Sequence, residues 1–256
     1  MSRFAGNFVN PECVQTDMAN QFYSPDEQRA SRVNALFSRI AGRYDLINDL
    51  QSFGMHRIWK RRVVRLAQVQ NGEKALDLCC GTGDLAFGLA RTGAQVTGLD
   101  FTQAMLDVAE SRSRSLALPQ PVTFIQGDAQ KIPFADESFQ IVTVGYGLRN
   151  LSSWETGLRE MLRVAKPGGR LLVLEFGKPE NALWRWVYFT YLRMFVPILG
   201  WLFCGSAAAY AYILESLKHY PGQCGVAEKM RKLGMREVKV INLLGGIMSI
   251  NYGEKR

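Results

Sequence analysis

Apolar positions recur at three- and four-residue spacing early in the chain and in short continuous or alternating runs later. Between Asp26 and Gln68, Val33, Leu36, Phe37, Ile40 and Ala41 mark one helical face, and "HRIWKRRVVRLAQV" predicts a second helix. From Lys74 onward "KALDL", "QVTGLD", "VTFIQGD", "FQIVTVGYG" and "GRLLVLEF" are strand candidates rich in Val, Ile, Leu and Phe. Helical stretches near 84–91, 103–115 and 155–165 separate them. Such alternation predicts right-handed βαβ crossovers and an α/β fold with a mostly parallel, doubly wound sheet. A last pair, "EVKVINLL" and "GIMSINYG", joined through Gly245-Gly246, reads as an antiparallel hairpin closing one sheet edge.

Four stretches follow from this pattern. Residues 1–28, with Pro11 and Pro25 and no clear period, read as a mobile leader, and 29–70 as an N-terminal helical cap. The sheet domain takes 71–179 and 217–256, interrupted by a helical insert at 180–216. Within the insert Met194–Leu214 carries no charge and has the length to cross a bilayer, but Pro197, Gly200 and Gly205-Ser206 interrupt it. It reads either as helices packed on the main domain or as a greasy cover for a long apolar substrate at a membrane surface.

Composition narrows the setting. With 47% hydrophobic and 21% charged residues the chain is an ordinary globular protein. A net charge of +8 biases it toward anionic partners without naming one. Cysteines at 13, 79, 80, 204 and 224 give neither a C-x-x-C pair nor a zinc pattern, so no metal is expected and a reduced cytoplasmic setting fits. No secretory h-region opens the chain. The basic face Arg57, Lys60, Arg61, Arg62 and Arg65 is either merely solvated or, with the insert, rests on anionic headgroups at the inner face of a membrane. It lacks interleaved aromatics and no RNA-binding module is appended, so nucleic acid is not expected.

The chemistry gathers at "LDLCCGTGDLAFGLA", residues 76–90, where a strand passes through a glycine turn into a helix. Ligands in open parallel sheets bind beyond the carboxyl ends of the strands, and Gly81 and Gly83 let backbone approach them closely. A pyrophosphate would want a bare helix start. Here Asp84 occupies it with Asp77 just upstream, a pair that repels a diphosphate and attracts a sulfonium ligand bearing an amino group. Asp100 ends the second strand, where a carboxylate takes both ribose hydroxyls, and Asp128 ends the third, within reach of an adenine amino group. These acids point to S-adenosylmethionine; helix capping accounts for Asp84 but less well for the other two.

"LDLCCGTGDLA", "GLDFTQAML", "GDAQKIPF" and "RVAKPGGRLLVLEF" together resemble the motifs of class I (Rossmann-like) methyltransferases. More narrowly, "SRIAGRYDLINDLQSFGMHRIWKRR", "VGYGLRNL", "LLVLEFGKP", "YILESLKHYP" and "NLLGGI" resemble the ubiquinone/menaquinone biosynthesis C-methyltransferase family, from about Ala35 to Gly253. The resemblance implies methylation of a ring carbon on a prenylated quinol in menaquinone or ubiquinone biosynthesis, with S-adenosylmethionine as donor. It carries the cofactor positions to Thr82, Asp100, Asp128 and Ala129, and a further one, often serine, to Gly145. A homodimer is left open, as are another class I methyltransferase, for a sterol, small phenol or RNA, and a non-enzymatic scaffold.

A methyl sulfonium is already activated, so the protein must align the reactants, exclude water, stabilise a phenolate and route one proton. Arg149 and Asn150 follow an apolar strand at the ligand end. Arginine is a poor base, so Arg149 either steadies the phenolate, orients a water, or is a structural pair to Asp45 or Asp49. Tyr44, Asp45 and Asn48 share a helical face that the resemblance places over the cofactor, where Tyr44 and Asp45 would contact substrate oxygens unless they only cap or pack. His56, one of two histidines, is a candidate for titration near neutrality or a structural residue.

Overall fold

Side chains along the central strands bury on both faces, which is why their sequences read as continuous apolar runs. The computed structural model describes residues 28–204 and 208–256. In β1 (Lys74–Leu78), β4 (Phe139–Gly145) and β5 (Ala165–Phe176), Ala75, Ile141, Leu172 and Leu174 join one core layer. Leu76, Leu78, Val142, Val144, Leu171 and Val173 join the other. With β2 (Gln95–Asp100), β3 (Thr123–Gln126), β6 (Arg236–Leu243) and β7 (Met248–Glu254) they form a seven-stranded sheet of order β3-β2-β1-β4-β5-β7-β6. Pairings are parallel from β3 to β5 and antiparallel at β5–β7 and β7–β6. The hairpin read at the end of the sequence is the β6–β7 ribbon, turned by the 3-10 segment Leu244–Gly246.

The N-terminal periodicity becomes α1 (Gln28–Ile40), α2 (Tyr44–Ser52) and α3 (Met55–Leu66). Crossover helices are α4 (Asp84–Arg91), α5 (Gln103–Arg114) and α6 (Trp154–Val164), and α9 (Gly222–Lys232) precedes the ribbon. The leader expected at 1–28 lies outside the described residues except Gln28, which opens α1. Trp59 and Val63 of α3 pack with Phe87 and Leu89 of α4 on one face of the sheet. Leu158 and Met161 of α6 pack with Val226 and Met230 of α9 on the other.

The insert forms α7 (Ala182–Cys204) and α8 (Ala208–His219), packed against each other. Pro197 does not end the first of these helices, contrary to expectation: the helix runs through it and forgoes only the hydrogen bond that an N–H there would have made. Among the described residues no helix is long and apolar enough to cross a membrane. A third core cluster joins the insert to the cap: Leu36, Ile40 and Ile47 meet Tyr188, Leu192, Val196, Ile213 and Leu217. The strand order reverses between β1 and β4, and their carboxyl ends, roofed by α1 and α2, carry the site.

Candidate active site

After β1 the chain turns through Cys79 (φ 51°), Gly81 (φ 55°) and Gly83 (φ 90°) before α4 begins. At Gly83 a Cβ would stand 2.7 Å from the Phe87 ring, so the turn needs glycine for space as well as φ. The loop floors a cavity of about 780 Å³. Of the residues singled out as cofactor-binding, Gly81, Asp100, Asp128, Ala129 and Gly145 line it, and so do Tyr44 and Asn150. The Asp100 carboxylate accepts the Gly81 amide (2.8 Å) and the Thr102 amide (2.9 Å). Burial raises its pKa against the pull of those amides. Asp128 accepts the Gln130 amide at 2.8 Å. Gly145 stands against Leu85, whose Cδ1 would be 2.7 Å from a Cβ there; the space a side chain would take at this position is filled from the side by leucine.

The remaining acids are placed differently from expectation. Asp84 does not line the cavity; it accepts from Lys60 Nζ (2.8 Å) and Arg112 Nη2 (2.7 Å). Burial alone would raise its pKa, but the two cations outweigh it and hold the carboxyl at about 2. Its charge is therefore spent on locking α3 and α5 to the loop, and the acids facing the cavity are Asp100 and Asp128. Thr82 also points away: its hydroxyl donates to Asp45 Oδ1 at 2.7 Å, while Arg112 Nη1 sits 2.9 Å from Asp45 Oδ2 and donates to the Thr82 carbonyl at 2.7 Å. Asp45 is thus occupied with the loop and does not line this cavity; with Thr82 and Arg112 it latches the cap onto the glycine turn.

Asp77 lies behind the turn, outside the cavity, where Thr143 Oγ1 donates to its Oδ1 at 2.7 Å. Burial raises its pKa to about 7. The folded protein holds this proton more tightly than the unfolded chain, so the stability it contributes is complete below the ordinary value of 3.8 and is lost as pH rises through about 7. Asp77→Asn, which cannot ionise, is expected to flatten the pH dependence of unfolding free energy across that window. Urea denaturation at several pH values reads it, and an unchanged slope would show that Asp77 titrates as an ordinary carboxylate.

A second cavity of about 930 Å³ adjoins the first. Phe37, Tyr44 and Tyr146 line both and form the wall between them. The second is mainly apolar, built from the cap and insert, with Leu36, Ile47, Leu192, Val196 and Ile213 in its walls. Residues of this lining also carry buried polar atoms that have no hydrogen-bond partner among the described residues: Gln51 Nε2, His56 Nδ1, Tyr146 Oη and Tyr188 Oη. Unmade hydrogen bonds of this kind cost about 1–3 kcal/mol each, so a cluster of them marks a place where ordered water or a polar ligand completes the network. Asn34 Oδ1, equally unpartnered, stands in the first cavity.

Arg149 lines the second cavity and is 5% exposed. Its partner is neither Asp45 nor Asp49 but Glu175, 1% exposed, at the end of β5: Nη1 to Oε1 is 2.7 Å. Arg149 also donates to the Tyr146 carbonyl (2.7 Å) and Ser216 Oγ (3.2 Å), and its guanidinium lies 4.6 Å from the Phe176 ring centre. Asn150 Nδ2 donates to the same Tyr146 carbonyl at 3.3 Å. Glu175 and Tyr146 were not singled out in the sequence, although an acid inside the apolar run "LLVLEF" is the kind of signal that marks a buried pair. Phe101, Met105 and Gln130, also in the first cavity, carry no signal beyond their place after β2 and β3.

Of the insert aromatics, Tyr188 and Tyr191 line the second cavity, and Tyr191 donates to the Gln51 carbonyl at 3.0 Å. Trp186 and Phe195 face outward, and Trp184 turns its Nε1–H to the Leu244 carbonyl at 2.9 Å. Trp201 lies among residues whose side chains are not described.

The sequence profile of the ubiE/COQ5 methyltransferase family matches residues 25–255. Ubiquinone/menaquinone biosynthesis C-methyltransferase UbiE of Pseudomonas fluorescens is 42% identical over 235 residues, 90% of this chain and 91% of the relative. The protein of the same name from Azotobacter vinelandii is 41% identical over 90% of this chain and 92% of its own. Among solved structures, a SAM-dependent methyltransferase from Thermotoga maritima, described as a possible histamine N-methyltransferase, superposes with a TM-score of 0.63 at 19% identity. It covers 87% of this chain and 99% of its own. Another SAM-dependent methyltransferase, from Aquifex aeolicus, gives 0.55 at 18%, covering 77% and 89%. At these identities the structures share the fold and nothing finer.

Proposed function

The chain belongs to the ubiE/COQ5 methyltransferase family, and on that premise we propose that it methylates a ring carbon of a prenylated quinol in ubiquinone or menaquinone biosynthesis. The observation that carries the reading is the pair of adjoining cavities. One has carboxylates at the ends of two strands, and the other is greasy with unpartnered polar atoms at its inner wall. A nucleoside suits the first and a hydroxylated ring with an apolar tail suits the second.

S-adenosylmethionine, when bound, supplies an activated methyl group. Asp100 would take its ribose hydroxyls, Asp128 and Ala129 would meet its adenine, and the Gly81 turn would let it approach the wall formed by Tyr44 and Tyr146. The buried polar atoms of the second cavity would hold the two ring oxygens. Anaerobic incubation with methyl-labelled donor tests this. Label is expected in a demethylated prenyl quinol and not in RNA or a sterol; donor binding without transfer to any quinol would favour the scaffold. Asp100→Ala is expected to weaken donor binding by about 1.5–3 kcal/mol, measured by calorimetry, because a charge-assisted contact is lost. Comparable affinity for NAD would overturn the assignment of the first cavity.

Peripheral attachment to a membrane is part of the proposal. It is supported by the outward apolar side chains Leu183, Trp186, Phe195 and Ile198 of α7 and by exposed Arg61, Arg62 and Arg65 on α3. Arg57 and Lys60 do not join that face freely, being tied to Asp49 and Asp84. Sedimentation with anionic vesicles that is lost at high salt is expected; equal binding to neutral vesicles would remove the role of the arginines.

A further inference from the structure

We propose that His56 is the group that accepts the hydroxyl proton of the ring to be methylated, with Asp49 and Arg57 fixing its orientation. The proposal rests on the second cavity being the quinol site.

The sequence builds this arrangement in one turn. Helix α2 ends with Phe53 in the left-handed region (φ 50°) and the Gly54 amide closing back on the Asp49 carbonyl at 2.8 Å. The reversal brings the first residues of α3 under the last turn of α2. Arg57 then grips Asp49 with both ends of its fork, Nε to Oδ1 at 2.7 Å and Nη2 to Oδ2 at 2.5 Å. Asp49 Oδ1 also lies 3.0 Å from His56 Nε2. A carboxylate held ionised by Arg57 can only accept here, so Nε2 carries the proton and Nδ1 keeps its lone pair. His56 lines the cavity, is 2% exposed, and its Nδ1 has no partner among the described residues. The remaining nitrogen is an acceptor with nothing to accept, on a residue that lines the cavity where a phenol would arrive.

The surroundings keep that lone pair available. Burial lowers the imidazole pKa to about 4; Lys60 and Arg57 on α3 act in the same direction, against Asp84 on α4 and Asp49 on α2. The other ionisable groups of the cavity are Tyr44, Tyr146, Tyr188, Tyr191 and Arg149, and burial raises the pKa of each of the four tyrosines. At neutral pH no phenolate among them competes for the substrate's proton. The step balances as follows. The hydroxyl donates a hydrogen bond to Nδ1, and its proton passes there as the adjacent ring carbon takes the methyl group, when the oxygen becomes far more acidic than an imidazolium. That carbon forms its bond to the methyl group as the methyl–sulfur bond breaks and its pair stays on sulfur. The ring C–H proton then leaves to water while the oxygen recovers a proton from His56.

The full chain with His56→Gln is the first test. Turnover is expected to fall about 100-fold or more at pH 7 with donor affinity unchanged. Turnover should then climb with pH toward the phenol's own pKa, because hydroxide replaces the missing acceptor. A structural role would lower turnover by one factor at every pH, and that result overturns the proposal. Should the variant not fold, the native protein gives the answer by ¹⁵N resonance of its two imidazoles, with His219→Gln assigning them. Added 2-methyl-1,4-naphthohydroquinone, kept reduced, is expected to move the His56 Nδ1 signal from that of a free acceptor to that of a hydrogen-bonded one. Quenching of Trp59, which lines the same cavity, reports occupancy separately. Quenching without the nitrogen shift overturns the His56 assignment alone, whereas no quenching overturns the cavity assignment with it.

Discussion

Arg149→Ala is expected to destabilise the protein by about 3–5 kcal/mol, the cost of leaving one member of a buried ion pair without its partner. Both charges are almost wholly removed from water, and Glu175 has its other contacts to the Arg149 and Phe176 amides, at 3.3 and 2.9 Å, so it cannot turn outward. Arg149→Lys separates structure from chemistry. A lysine ammonium can still neutralise Glu175, but it lacks the planar fork that reaches Ser216 and the Tyr146 carbonyl together and stacks on Phe176. Most of the stability should return, while turnover stays low because Tyr146, in the wall between the cavities, is no longer held. Denaturation midpoints beside kcat and KM read both effects. An Arg149→Ala protein as stable as the parent would mean that the buried pair contributes nothing to stability. Full turnover in Arg149→Lys would mean that the fork plays no part in holding the wall.

The strands of the sheet were legible because alternation and continuous burial are local properties of the chain. "KALDL" and "FQIVTVGYG" announce β1 and β4 whatever packs on them. The glycine turn was equally plain, and with it the positions of Gly81 and Asp100. What could not be read was which way an acid faces when its partner is far along the chain. Asp84 looks like a ligand for a cation until Lys60 and Arg112 are seen to occupy it. Asp45 looks like a substrate contact until the fold brings Thr82 to it across 37 residues. Arg149 needed a carboxylate, and near neighbours on the cap were the natural candidates; the sheet supplies Glu175 instead, 26 residues on, beside it across the β4–β5 pairing. Pro197 was expected to interrupt its helix, but packing of Tyr188, Leu192 and Val196 against the cap holds the turns that lead into it.

That packing sets the second large expectation, which concerns the tail of the substrate. A quinol stripped of its prenyl chain is expected to lose at least ~100-fold in kcat/KM, about 2.7 kcal/mol, relative to one carrying two or more isoprene units. In the proposed site the ring would engage only the polar part of the wall, whereas the body of the cavity is hydrocarbon contributed by Leu36, Ile47, Leu192, Val196 and Ile213. Burying one five-carbon isoprene unit is worth roughly 4 kcal/mol at about 0.8 kcal/mol per methylene-sized group. Part of that energy is realised as alignment of the ring, so kcat should fall as well as KM rise. A cavity-filling change makes the test specific. Leu192→Trp narrows the slot from α7, in the cavity that Asp100 does not line, and overpacking should cost stability of about 1–3 kcal/mol without touching donor binding. Turnover of the tailed quinol should drop in this variant while the tail-less ring reacts as before. If both lose rate equally, or if the bare ring is methylated as fast as the prenylated one by the native protein, the tail lies elsewhere and the insert only completes the core.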